Sequence, residues 1–273
     1  HMRKLIGFIV AAALAAPALV SAEVVYGGSS TLADTVLQGG VAAGFERKTG
    51  VKLRVADVSG TGKGIKAVAE GKLSVAGAGR TLNAAEKRSG LLGTIVGYDG
   101  LAVFVNASNP VKDLSKEQLK DLFTGKAKSW KELGGKDVPI RAIIEPVASK
   151  RATVQLVQEL LLDGAPFAPG IREEEQLKDQ VAEVARNEGA ICVASVGFLA
   201  GVDPATRAAV RAIAIDTTEP SDVNIRSGAY LLSRPMLVVT QGLPAGEVKL
   251  FVDYLLSKDG QGVVEKFFVS VKR

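Results

Sequence analysis

Short apolar runs alternate along this chain with stretches whose apolar positions recur every three to four residues. Glu23 to Gly28 reads as a strand, after which Leu32, Val36, Leu37, Val41 and Phe45 keep helical spacing. Val51 to Val55 alternates as a half-buried strand, Ile65 to Glu70 forms a short helix, and Leu73 to Ala78 gives a third strand. Leu91 to Val96 and Leu101 to Val105 read as two strands separated by Tyr98-Asp99-Gly100. Asn106 to Pro110 then punctuates the chain, and Ser115 to Gln118 is a capping box for a helix with Leu119, Leu122 and Phe123 on one face. Val138 to Ile144 is a strand and Ala152 to Leu162 a helix. Ile171 to Asn187 contains a charged helix whose acidic run Glu173 to Glu175 reads as its favourable N-terminal end. Ala190 to Val196 and Ile213 to Ile215 are strands, Tyr230 to Pro235 and Met236 to Val239 lead on to a helix at Gly246 to Ser257, and Asp259 to Phe267 is another helix. Strands and helices alternating throughout predict an α/β protein.

The first residues stand apart from this pattern. Arg3-Lys4, an apolar run from Leu5 to Val20 and the small-residue end Val20-Ser21-Ala22 make residues 1–22 a secretory signal peptide, with cleavage expected before Glu23. His1, ahead of Met2, reads as a cloning remnant. The expected location is periplasmic. Beyond residue 22 the chain has 251 residues, 32 basic and 29 acidic side chains, and no histidine. Such a mild positive surplus does not suit a nucleic-acid binder, which carries a basic stripe with interleaved aromatics, but it suits attraction of small anions. Without histidine, Ser-His-Asp, Cys-His and histidine-ligated metal chemistry are excluded. The single cysteine, Cys192, lies in an apolar run and reads as a buried core residue. No catalytic residue, metal ligand or cofactor is expected.

What chemistry the chain does offer is anion chemistry. Val55 to Lys66 reads as a strand, a glycine-rich turn and a helix start, with Ser59, Gly60, Thr61, Gly62 and Lys63 in the turn. Glycines allow close backbone approach, the hydroxyls donate, and the first turn of a helix presents unpaired N–H groups at its positive end. The segment matches neither the Walker nor the Rossmann spacing, and a plain tight turn is the competing reading. Ser29, Ser30 and Thr31 repeat this pattern after the first strand, where simple helix capping is the alternative. Arg80 follows the third strand and reads either as facing a cleft or as a solvated side chain. Ser149, Lys150 and Arg151 stand at a further helix start, where two cations oppose the helix dipole.

The order of Gly28 to Thr31, Ser59 to Gly64, Gly79 to Leu82, Gly97 to Ala102, Asn109 to Val111, Trp130 to Gly135, Tyr230 to Pro235 and Phe251 to Gln261 resembles the phosphate-binding proteins of bacterial phosphate ABC importers, and the likeness covers essentially the whole chain after residue 22. The resemblance implies a type II periplasmic binding protein fold of two lobes, each a mixed β-sheet flanked by helices, with the chain crossing twice between them. Residues 23–104 and 227–273 would form the first lobe and 105–226 the second. It further implies a small oxyanion, phosphate before others, held in the interlobe cleft, a membrane permease of an ABC importer as partner, and a monomer.

In the family, a first serine/threonine turn, an S-G-x-G loop, an Asp at the third strand and an R-x-x-x-S-G-T segment contact the ligand. The first two fall on Ser29 to Thr31 and Ser59 to Gly62. The Asp falls on Ser74, the strand ends in Ala78-Gly79, the Arg position holds Glu145, and S-G-T becomes Ser149-Lys150-Arg151. Loss of a buried acceptor carboxylate at Ser74 would weaken discrimination between phosphate and sulfate, and Lys150 and Arg151 would supply the missing cation. An interaction or sensory module that keeps this fold but has lost canonical phosphate binding is the alternative.

Overall fold

A computed structural model describes residues 23–58, 60–149 and 152–271. The expected signal peptide, and Ser59, Lys150 and Arg151 of the expected ligand set, lie outside the described residues. Eleven strands occur among them: β1 Glu23–Gly28, β2 Lys52–Asp57, β3 Val75–Ala78, β4 Leu91–Asn106, β5 Asp113–Leu114, β6 Arg141–Ile144, β7 Arg172–Glu173, β8 Ala190–Ser195, β9 Val210–Ile215, β10 Ser233–Gln241 and β11 Val269–Ser270. They form one mixed sheet in the order β2-β1-β3-β10-β4-β8-β6-β7, with β9 and β11 also pairing β4 and β5 pairing β9. Helices cover the sheet, and the result is the mixed, curled α/β architecture that the sequence predicts.

The sheet divides at β4. Its first part, to Gly100, pairs antiparallel with β10, and its last part, Leu101 to Asn106, pairs with β8 and β9. Side chains follow the same division. Val96 packs with Val24, Tyr26, Met236 and Phe251, whereas Leu101 and Val103 pack with Trp130, Ile191 and Leu232. Residues 101–104 pack in the clusters of Trp130 and Cys192 and not in that of Tyr26. Ile225, Tyr230 and Leu232 likewise belong to the cluster of Trp130.

Tyr98-Asp99-Gly100 does not break the strand as its composition suggests. Asp99 is 1% exposed, and its charge is matched in place by Arg234, its partner in the β4–β10 register. Ile225 fills the space over Gly100, where a Cβ would lie 2.4 Å from the Ile225 side chain. Glu173 departs from expectation too, as it pairs in β7 with Ile144, and the charged helix begins only at Leu177–Arg186. Elsewhere local chemistry sets the boundaries as read. Ser115 and Gln118 form a reciprocal capping box, and Trp130, fully buried, donates its indole N–H to Gly189 O at 2.9 Å.

The C-terminal ends of β1, β6 and β8 meet at a common cleft, lined by Ser30 and Thr31 after β1, Glu145 after β6 and Ser195 at the end of β8. β1, β2 and β3 are mutually parallel in the first half, and β8, β6 and β7 in the second. Open α/β sheets bind ligands just beyond such ends, where loops and helix starts converge.

Candidate functional site

In the first half, the three strand ends are tied to one another. After β1, Ser29 N donates to Gly77 O at 2.9 Å; after β2, Gly60 N donates to Gly28 O at 3.0 Å; after β3, Gly79 N donates to Thr61 Oγ1 at 3.1 Å. Close packing makes this possible, since a Cβ on Gly64 would lie 2.4 Å from Gly28 Cα. Gly60 adopts φ 107°, which only glycine takes readily, and it serves as the N-cap of the helix Thr61–Ala69. Ser29 caps the other helix start, accepting from Leu32 N at 3.4 Å.

The first backbone donors to bond within these helices are Ala33 N, to Ser29 O, and Gly64 N, to Gly60 O. The N–H groups of Ser30 and Thr31, and of Thr61, Gly62 and Lys63, precede them and have no partner among the described residues. Two helix starts thus stand side by side, each with donors unpaired among the described residues, and a cradle for an anion at this place is a proposal taken up below.

Beneath Ser29 lies Tyr26, fully buried, whose hydroxyl donates to Ser29 O at 2.8 Å. Burial, and secondarily the Asp34 carboxylate, push this phenol far above the ordinary tyrosine range, so it remains a donor. Its oxygen occupies the space over Gly77, where a Cβ would lie only 1.8 Å away.

A cleft of about 1060 Å³ opens beside the cradle, and both sheet halves line it. Ser30 and Thr31 border it from the first half, and Glu145, Thr153 and Ser195 from the second. On its floor, Arg234 donates from Nε and Nη2 to Asp99 Oδ2 at 3.1 and 2.7 Å, and Ser195 donates to Asp99 Oδ1 at 2.9 Å. Arg234 is 7% exposed. Its Nη1 has no partner among the described residues and lies 3.2 Å from where a Cβ on Gly79 would be. The glycine that follows β3 therefore leaves room beside the buried guanidinium, which a side chain there would crowd.

This cation escaped the sequence reading. Asp99 reads as part of a break between two strands, and its pairing with Arg234 is revealed only by the sheet register.

Other expected ligands are placed elsewhere. Ser74 sits at the opposite end of β3, where its hydroxyl accepts from Val25 N at 3.0 Å. Four residues of strand, about 13 Å, separate it from Ala78, so its identity does not bear on an acceptor carboxylate. The argument for weak phosphate–sulfate discrimination loses its basis, since Asp99 and Glu145 bring carboxylates to the cleft.

Arg80 does not line the cleft. It makes a bidentate pair with Glu86 at 2.9 and 2.8 Å, which lowers the Glu86 pKa and raises that of Arg80. Lys63 is exposed, as is Gly62, where an added Cβ meets nothing within 4 Å. Ser149 ends the short 3-10 turn Val147–Ser149, and Glu145, 5% exposed, follows β6 into the cleft wall. Cys192 is buried, and burial alone pushes its thiol up to about 12. Among the described residues no cluster of metal-ligating side chains occurs, and no helix is long and apolar enough to cross a membrane.

Residues 14–259 match the model of the PBP superfamily domain. The phosphate-binding protein PstS of Bacillus subtilis is 36% identical over 210 residues, which cover 74% of this chain and 65% of that protein, just under two thirds of its length. Among solved structures, a candidate phosphate ABC transporter substrate-binding protein with bound phosphate from Clostridium perfringens is 31% identical with a TM-score of 0.70, covering 92% of this chain and all of that one. An ABC-type phosphate transport receptor from Vibrio cholerae is 25% identical with a TM-score of 0.74, covering 91% of this chain and all of that one. On the family match, and on a fold that shares the curled mixed sheet of these structures, the chain belongs to the PBP superfamily.

Proposed function

We propose that this protein is a periplasmic solute-binding protein that captures phosphate or a related small oxyanion in the cleft and hands it to the membrane permease of an ABC importer. The observation that carries this reading is Arg234, a buried guanidinium that lines the cleft together with Ser30 and Thr31 and whose Nη1 has no partner among the described residues. Asp99 holds its planar fork in place, so little side-chain entropy is lost when an anion arrives. Hydroxyls of Ser30 and Thr31 add neutral donors beside it. Capture needs no cofactor and no covalent step, and the protein acts as a binder rather than an enzyme, as a monomer.

The two sheet halves, residues 23–99 with 233–271 and residues 101–232, act as the lobes, and the crossings near Gly100 and Ser233 act as the hinge. Lobe closure over the anion is the signal that the permease reads. Export with removal of residues 1–22 brings the chain to the periplasm, and the N-terminal residue of the exported protein should be Glu23.

Calorimetric titration of inorganic phosphate into ligand-stripped protein tests the reading. Saturable one-to-one heat is expected. One observation favours a second reading, an extracytoplasmic interaction or sensory module: Glu145 places a carboxylate in the cleft wall where the family resemblance implies an anion-binding Arg. Silence across phosphate, sulfate, molybdate and arsenate would select that reading.

A further inference from the structure

How Arg234 sits depends on which oxygens of Asp99 are open to it. A guanidinium and a carboxylate commonly meet fork to fork, in two parallel hydrogen bonds to two oxygens. Here Nε and Nη2 of Arg234 both donate to Oδ2, at 3.1 and 2.7 Å, while Oδ1 accepts from Ser195 Oγ at 2.9 Å.

The three residues come from adjacent strands, β10, β4 and β8. Arg234 stands directly opposite Asp99 in the β4–β10 register, so that pair needs nothing from the second half. Ser195 stands opposite Leu101 in the β4–β8 register, which places it diagonal to Asp99 on the same face of the sheet. Its strand belongs to the second half: Val193 packs in the cluster of Trp130 and Ala194 in that of Cys192, whereas Met236, two residues beyond Arg234, packs in that of Tyr26. Just after β8, Gly197 lies so close to the Phe267 backbone that it leaves no room for a Cβ, which seats the end of the strand on the first half. Ser195 is partly buried and lines the cleft with Arg234. A serine hydroxyl has one proton to donate, and Asp99 takes it, so Ser195 has none left for an anion.

We infer that Ser195 is a positioning residue for anion binding: its hydroxyl, carried by the second half, fixes the Asp99 carboxylate in the rotation that seats Arg234 with Nη1 left for the ligand. This inference rests on the anion-binding reading above and adds the residue that sets its cation. Without the hydroxyl, Asp99 is free to turn and take Nε and Nη2 on separate oxygens. The guanidinium then reseats, and Nη1 moves from the place that it holds for the anion.

Calorimetric titration of inorganic phosphate into ligand-stripped wild type, Ser195→Ala, Ser195→Cys and Ser195→Thr tests it, with urea unfolding of each protein alongside. Ser195→Ala should bind phosphate about tenfold more weakly than wild type, the equivalent of roughly one hydrogen bond. Ser195→Cys, whose thiol is close in size but a weak donor, should be weakened as well and carries the test if the alanine variant does not fold. Ser195→Thr keeps the hydroxyl and should bind within about twofold of wild type. A hydroxyl that only supports the fold would shift the urea midpoint and leave the affinity of the folded variants unchanged. Wild-type affinity in Ser195→Ala or Ser195→Cys, or a threonine variant as weak as the alanine one, overturns the inference and leaves the anion site standing. Absence of phosphate binding by the wild type overturns the anion site itself, and this inference with it.

Discussion

Gly77→Ala probes the support beneath the cradle. Gly77 has no positive φ, so its backbone tolerates alanine, and the nearest obstacle is Tyr26, whose hydroxyl oxygen, Cζ and Cε2 would lie 1.8, 2.7 and 3.0 Å from the new methyl. Tyr26 is fully buried and cannot swing away. Overpacking of this kind costs about 1–3 kcal/mol. Tyr26→Phe alone removes the hydrogen bond to Ser29 O, which still accepts from Ala33 N at 3.2 Å, so the loss is about 1 kcal/mol. The double variant loses the oxygen that makes the worst contact. It should therefore be more stable than the sum of the singles by about 1 kcal/mol. Urea denaturation of the four proteins gives the coupling directly. Because Ser29 N is anchored on Gly77 O, phosphate affinity should fall with Gly77→Ala and partly recover in the double variant. Additivity within about 0.3 kcal/mol would refute the reasoning, since two groups in contact cannot be independent.

The glycines of the second helix start should separate by cause. Gly60→Val should damage both fold and binding, because φ 107° is strained for valine, whereas Gly62→Val has open space and should leave unfolding by urea unchanged while reducing phosphate affinity on calorimetry. Arg80→Ala should cost about 0.5 kcal/mol at pH 7, as befits a half-exposed pair. Glu86 has a folded-state pKa below its ordinary 4.5, mainly through the Arg80 hydrogen bonds, so this stability is present above that value and lost as pH falls through the lowered one. Unfolding curves of wild type and Arg80→Ala should then converge in acid. Cys192, with its thiol pushed up to about 12, should resist a colorimetric thiol reagent at pH 8 until the protein is unfolded.

Local chemistry was legible in the sequence, and chemistry assembled across the sheet was not. Ser29 to Thr31 and Gly60 to Thr61 announce themselves because glycine, hydroxyl and helix start are neighbours in the chain. Asp99 and Arg234 are 135 residues apart, and only the β4–β10 register makes them a pair. Without that partner, Asp99 beside Gly100 looks like a turn, so in sequence the one long strand reads as two. Ser74 was misplaced for a related reason: the likeness fixes β3 as a unit, but only the parallel pairing with β1 shows which of its ends faces the cleft. The acidic run at Glu173 fits a helix start by its charge, yet Glu173 is taken up by pairing with Ile144 on β6.

A crystal structure of the protein grown with saturating phosphate tests the central claim most directly. The account predicts one anion with oxygens about 2.7–3.2 Å from Arg234 Nη1 and from the backbone nitrogens of Ser30 or Thr31, with the Arg234–Asp99 pair intact beneath it. An anion bound away from Arg234, or a cleft floor holding only water at saturation, would contradict it.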